Sequence, residues 1–289
     1  LTVKGTGTAT AGITVTAYGT GAVPSIADTS TSDAGAVDLS GPYITLKNVA
    51  ITAAPQYGVR ANAVHDSIVD VDISNVGNGL VARAAYMVAD RVSVHDLHMI
   101  VNTPGGDDDY GAVGFDIHST NATVENSSCT NCIAPSYDYG QDGGFVEIYN
   151  SGDNLYVYNN VATNTDGFME AGASSSTATA DNVTILGNTM TNVRCAFYIH
   201  SGTTDAFAIS TKNLLIAANT ITNSSTNSIL GGYLGSIDFE NNVVTNNGHI
   251  AGSTPFKHTG NHYKVGNGAA VGFPLDPSET ATFSALPVA

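Results

Sequence analysis

Three carboxylates raise the first chemical question. Asp116, Glu147 and Glu170 follow one another at spacings of 31 and 23 residues, inside the segments GFDIHS from Gly114, GFVEIY from Gly144 and GFMEAG from Gly167. A fourth segment, AFYIHS from Ala196, puts Tyr198 in the same place 28 residues on. His118, Tyr149, Gly172 and His200 form a second column with the same spacings. Positions two apart on a strand share a face, so both columns look outward while Ile117, Ile148, Ala171 and Ile199 point into a core. Arg60 in GVRAN and Arg83 in GLVAR belong to earlier strands of that face. On adjacent strands about 4.8 Å apart, Glu147 neighbours Glu170, with Asp116 one strand away. Like charges at that range push one carboxyl pKa up, which makes an acid and a base from similar residues. A carboxyl pair about 5 Å apart suits retaining glycoside hydrolysis, and roughly 6.5–9.5 Å suits inversion. The sequence therefore nominates Asp116, Glu147 and Glu170 as catalytic. His118, Tyr149, Tyr198, His200 and Arg83 are nominated to bind sugar hydroxyls, stack on rings or move protons.

Loops ahead of these segments add acids. Asp107, Asp108 and Asp109 precede Tyr110; Asp138, Tyr139 and Asp142 precede Gly143; Asp166 precedes Gly167. Tyr139, Asp142 and Asp166 join the substrate-binding set. Oxygen ligands on Gly-rich loops can take calcium, but no EF-hand spacing is present, and no metal ligands are assigned. Calcium is the single cofactor left open. A G-x-S-x-G nucleophile elbow is absent, as are phosphate-loop and dinucleotide fingerprints.

The elements that must hold these residues repeat. NLYVYNNVATN from Asn154, NVTILGNTMTN from Asn182, NLLIAANTITN from Asn213 and SIDFENNVVTN from Ser236 align Asn160, Asn188, Asn219 and Asn242. Looser copies are YITLKNVAIT from Tyr43, ADRVSVHDLHM from Ala89 and NATVENSSCTN from Asn121. Short alternating apolar runs broken by Asn, Gly and Ser have the period of strands rather than of helices. A repeat of this length is one coil of a solenoid, which buries its apolar face only by stacking on its neighbours. An inward Asn at a matching place can pair with the turns above and below.

This pattern resembles the right-handed parallel β-helix of the pectin-lyase-like superfamily, and the opening ITVTAYGTGAVPSI from Ile13 is similar to N-terminal regions of its secreted members. The resemblance implies an all-β, single-stranded right-handed parallel β-helix of about eight or nine coils over residues 1–270, with 271–289 a tail packed on the solenoid. It also implies a polysaccharide laid along one parallel sheet, and secretion. Tyr139-Gly140-Gln141-Asp142 resembles the YGxD part of the mannuronan C-5 epimerase motif, and Asp166-Gly167-Phe168 that family's downstream coil. The family's Pro-His, however, is replaced here by Gly143-Gly144.

Composition excludes other classes. Nine Lys and Arg against 25 Asp and Glu give a net charge of −16, which offers nucleic acid no electrostatic footprint. The same charge repels an anionic membrane surface, and no apolar run reaches the roughly 18–20 residues of a spanning helix. No basic, apolar leader precedes Leu1, the pattern of a cytosolic or an already processed secreted chain. Cys129 and Cys132, in C-x-x-C spacing, read as buried thiols or a local disulfide, and Cys195 stands alone. The expected function is a secreted glycoside hydrolase with paired carboxylates. A polysaccharide lyase or uronate epimerase using His118, Tyr149, His200 and an arginine is the alternative, and a non-catalytic carbohydrate binder or fibre-forming solenoid the third. The oligomeric state is not legible.

Overall fold

Strands of three residues need frequent corners, and at most of them this chain supplies Asn, Asp or Gly, which tolerate left-handed backbone, with Arg91 and Ala218 among the exceptions. Thr123–Glu125 turns at Asn126 (φ 50°) into Ser128–Thr130, which turns at Asn131 (φ 56°). Asn159, Asn164, Asn154, Asn182 and Asn192 repeat these corners in later coils, all with φ between 54° and 58°. Between corners the β-branched and aromatic residues favour extended backbone.

The computed structural model, which describes residues 1–30, 34–202, 205–223, 226–251 and 256–284, is all-β and contains no helix among them. It is a right-handed parallel β-helix with three faces per coil. The first face is a ten-stranded sheet running from Ile13–Thr16 to Lys257–Thr259. That slightly exceeds the eight or nine coils expected, because the last coils are short: Asn242 and Asn261 stack only 19 residues apart. The second and third faces merge into one nineteen-stranded sheet, since Ala50–Ala61, Val161–Gly172 and Thr189–Ile199 each bend from one face to the next. Every coil-to-coil strand pair is parallel. The antiparallel strand pairs are two hairpins beside the third face, Met99–Val101 with Tyr110–Gly111 and Ala134–Ser136 with Gly140–Asp142.

A buried amide ladder follows the corner between the first two faces. Asn160 donates its backbone N–H and its side-chain Nδ2 to Asn188 Oδ1, at 2.9 and 3.0 Å, and its Nδ2 also reaches the Val124 carbonyl. Asn188 repeats the pattern onto Asn219, Asn219 onto Asn242, and Asn242 onto Asn261. Ser127 begins the ladder by donating its N–H to Asn160 Oδ1, and Glu279 ends it by accepting from Asn261 Nδ2. Thr280–Phe283, within the segment expected to lie as a tail, is itself a strand paired in parallel with His262–Val265. Residues 285–289 of that tail lie outside the described residues.

Behind the third face the core is aromatic. Phe145 and Phe168 stack at 4.7 Å with planes 2° apart, Phe115 and Phe197 flank them, and all four are fully buried. Each coil must approach the next closely to pack this way. At Gly79 a Cβ would stand 2.6 Å from the Gly114 carbonyl oxygen and 2.7 Å from Val94 Cγ1. The same close approach requires the glycine at Gly58 and Gly114, whereas at Gly144 and Gly167 a Cβ would meet only ordinary contact at 3.4 Å. Cys129 and Cys132 form a disulfide across the Asn131 corner, both sulfurs inside the core, and Cys195 is free.

Candidate active site

Strand register decides which side chains meet. Asp38, Arg60, Val81, Asp116, Glu147, Glu170, Tyr198 and Gly231 are partners on successive strands of the third face. The carboxylate column read from spacing is therefore a true ladder, and Ile117, Ile148, Ala171 and Ile199 point into the core. The second column is less regular than its spacing implies. Tyr149 pairs with Gly172, but two extra residues in Gly144–Ser151, Tyr149 and Asn150 (φ 67°), slip His118 opposite Ser151. The His118 and Tyr149 rings still meet edge-on at 5.6 Å. At Gly172 a Cβ would lie 3.3 Å from His200 Cδ2, so the missing side chain is what lets His200 lean over this strand.

Every residue nominated from the sequence lines a single groove of about 960 Å³ on this face. Asp116 forms the enclosed end of the carboxylate set: its side chain is 8% exposed, Asn78 Nδ2 donates to its Oδ2 at 3.0 Å, and His118 Nε2 lies 2.8 Å from its Oδ1. Glu147 follows. Burial, then the charges of Asp116, Glu170 and Asp142, push its carboxyl well above the usual range, so it keeps its proton toward neutral pH. Glu170 is the open member, 45% exposed, with Oε1 2.9 Å from His200 Nε2. On its far side His200 meets Asp205 through Nδ1 at 3.1 Å. Burial opposes charge on that imidazole, but Glu170 and Asp205 prevail and its pKa is raised.

The groove wall is built by the hairpins and the strand entries. Burial, partly offset by the Gly143 N–H and reinforced by Glu170, Asp166 and Asp109, pushes Asp142 up to about 7. Asp166 is ion-paired to Arg194, Nε to Oδ1 at 2.5 Å and Nη2 to Oδ2 at 2.8 Å, while Arg194 also reaches the Gln141 carbonyl. Burial nevertheless raises Asp166. Tyr139 donates its hydroxyl to Asp107 at 2.7 Å, and Tyr198 sets its ring 4.9 Å from that of His200. Arg83 lies over the Tyr57 ring at 5.4 Å, whereas Arg60 is held by Asp38 through both Nε and Nη2.

The loop acids considered for calcium do structural work. Asp108, Asp109 and Asp138 bring one oxygen each within 4.8 Å of one another. Asp109 accepts from the Thr103 and Asp138 amides and the Ser136 hydroxyl, while Asp138 accepts from the Asp108 and Asp109 amides. These bonds tie one hairpin to the other. Asp142 stands apart from that knot, in the groove.

No protein-family model matches the chain, and no curated protein matches it. Among solved structures it is similar to a mutant tailspike protein of E. coli bacteriophage HK620 in complex with a pentasaccharide, at 11% identity and a TM-score of 0.49. That likeness covers 86% of this chain and 42% of the tailspike, so the chain spans less than half of the tailspike's length. The fold assignment stands on the strand pairing above.

Asn78, Tyr57 and Asp205 join the groove without having been nominated as site residues, while Arg194, one of the arginines open to the lyase or epimerase alternative, lines it too. Asn78 carried one usable signal: it is a polar residue in the wholly buried strand Val76–Ala82. Asp205 had none, since its loop has no counterpart in the repeat.

Proposed function

We propose that this protein is a polysaccharide-cleaving glycoside hydrolase in which Glu147 is the general acid and Glu170 the nucleophile. The observation that carries this reading is the in-register row Asp116, Glu147 and Glu170, whose middle member is pushed above the usual carboxyl range by burial first and then by the charge of its neighbours. Two carboxyls on adjacent strands, about 4.8 Å apart at the backbone, match the roughly 5 Å separation of retaining chemistry. Asp116 is too enclosed to attack a sugar, while Glu170 is open to the groove. In the first step a Glu170 oxygen bonds to the anomeric carbon as the glycosidic bond breaks, and Glu147 gives its proton to the departing oxygen. In the second, the Glu147 carboxylate takes a proton from water, whose oxygen bonds to the anomeric carbon and releases Glu170. The charge of Asp116 raises the Glu147 carboxyl and so favours return of the proton.

Groove shape and lining support a glycan. The groove is open and elongated across several coils, and Tyr139, Tyr149 and Tyr198 offer aromatic surface to sugar rings. Its charge argues against the uronate lyase or epimerase alternative. Arg194 is taken by Asp166, and nine Asp and Glu residues line the groove, so a polymer with a carboxylate on every sugar meets like charge. The Cys129–Cys132 disulfide supports the secreted location.

The test is a polysaccharide panel read for both reducing ends and unsaturated, ultraviolet-absorbing products. Hydrolysis yields new reducing ends alone, and that signal must vanish in Glu147→Gln. Ultraviolet-absorbing products would replace this reading with a lyase. Binding without either product would leave a carbohydrate-binding solenoid.

A further inference from the structure

Asp205 lies outside the repeat and outside the carboxylate column, yet it is built into the groove. Its Oδ1 accepts the Phe207 N–H at 2.9 Å, its Oδ2 accepts the Ser201 N–H at 3.0 Å, and both oxygens lie within 3.2 Å of His200 Nδ1. The opposite nitrogen of the same ring, Nε2, is 2.9 Å from Glu170 Oε1. One imidazole thus bridges a loop carboxylate and the most exposed carboxylate of the column. We propose that Asp205 is the positioning residue of the site: through His200 it fixes one oxygen of Glu170 and leaves the other facing the substrate beside Glu147. The proposal rests on the hydrolase reading for what Glu170 does, but the bridge itself can be measured without substrate.

A neutral imidazole has one N–H and can donate to only one of its two partners. Donation to both requires the imidazolium, whose formation the two carboxylates favour. The groups facing the ring are Glu170 from the neighbouring strand, Tyr198 from its own strand, and Asp205 and Phe207 from the following loop. Phe207 and the Tyr198 ring cover it edge-on, at 5.7 and 4.9 Å, and leave little room for rotation. Below the pKa of His200 the bridge is complete at both ends. As pH rises through that pKa the ring loses one donor, and either Asp205 or Glu170 is released.

Gly172 belongs to the same device. It occupies the column position between Tyr149 and His200, and its missing side chain is what admits the ring. A Cβ there would stand 3.3 Å from His200 Cδ2, so the ring would have to give by a few tenths of an ångström, while the Phe207 carbonyl oxygen at 3.4 Å would be in ordinary contact.

The deciding measurement is an imidazole NMR titration of the full chain, with the His200 signal assigned by its loss in His200→Gln. The wild-type ring should titrate above the ordinary histidine value of about 6.5. Asp205→Asn, which is isosteric and keeps one of the two oxygens that accept the loop amides, should lower the His200 pKa by roughly one unit. Glu170→Gln should lower it similarly. On a polysaccharide the wild type cleaves, Asp205→Asn should reduce kcat by roughly ten- to a hundredfold with KM nearly unchanged, as misplacement of a reacting group does. Its basic pH limb should move down with the His200 pKa, and Asp205→Glu should recover part of the rate. An unmoved His200 titration in a folded Asp205→Asn protein overturns the proposal. So does a variant whose kcat and pH profile match the wild type. If the coupled titration is seen but no polysaccharide is cleaved, the hydrolase reading fails while the bridge stands.

Discussion

Glu147 stands opposite Glu170 on the next strand, and Asp116 stands opposite Glu147 on the strand before. Of these three, Glu147 alone has a carboxyl neighbour on both sides, and burial first, then those charges, pushes its carboxyl up. General acid groups typically contribute 10²–10⁴-fold, so Glu147→Gln should cut turnover at least about a hundredfold while glycan binding survives, because Gln is nearly isosteric and lacks only the proton. Steady-state kinetics paired with calorimetric binding separate the two. Near-full activity in Glu147→Gln, Glu170→Gln and Asp116→Asn together would move the site to the Tyr139–Asp142 and Asp166 wall.

The amide ladder makes a stability prediction. Replacing Asn188 by Leu removes the acceptor for the Asn160 N–H and Nδ2, and leaves the Val157 carbonyl without its donor. Each buried orphan costs about 1–3 kcal/mol. Asn188→Leu and Asn219→Leu should therefore each destabilise by at least about 3 kcal/mol, read as a lower denaturant midpoint. An unshifted midpoint in both variants means the ladder carries no load.

Asp142 predicts a pH dependence of stability. Its carboxyl, raised to about 7 by burial, holds a proton in the folded state that the unfolded chain releases near its ordinary value of 3.8. The folded state thus binds more protons between those limits, and the contribution of Asp142 to stability falls as pH rises from about 4 to about 7. Asp142→Asn escapes that loss. It should be more stable than wild type at pH 8, with the gap shrinking as pH drops toward 4, measured by urea unfolding across the range. A gap that does not change with pH would show that Asp142 titrates normally.

Calcium can be tested the same way. A ligand that binds only the folded state raises its melting temperature. The oxygens of Asp109 and Asp138 already accept backbone amides across the two hairpins, so excess chelator should leave the midpoint unmoved. Ser136→Ala, which removes a donor to Asp109, should lower it. A chelator-induced drop restored by calcium would assign a cation to Asp108, Asp109 and Asp138.

Much of this protein is legible in one dimension, because a solenoid turns sequence period into spatial neighbourhood. Asn160, Asn188, Asn219 and Asn242 recur at one place in each coil and stack in the fold as their spacing requires. Asp116, Glu147 and Glu170 meet for the same reason: their spacings of 31 and 23 residues are the lengths of the coils between them. What the period does not carry, the sequence does not disclose. The bulge at Tyr149 and Asn150 slides His118 opposite Ser151, a local backbone event that the repeat spacing does not carry. The final strand Thr280–Phe283 pairs although its segment shares no repeat motif, because an open sheet edge accepts any extended backbone. Asp205 reaches His200 only because an irregular loop folds back over the groove, and the Asp38–Arg60 pair forms only because two strands with no shared motif lie side by side. Protonation of Glu147 likewise needs burial and three charges converging from separate coils and one hairpin. Residue type and spacing determined the ladder and its carboxylates. Which carboxyl holds the proton, and what holds its partner in place, was decided by loops whose positions only tertiary packing sets.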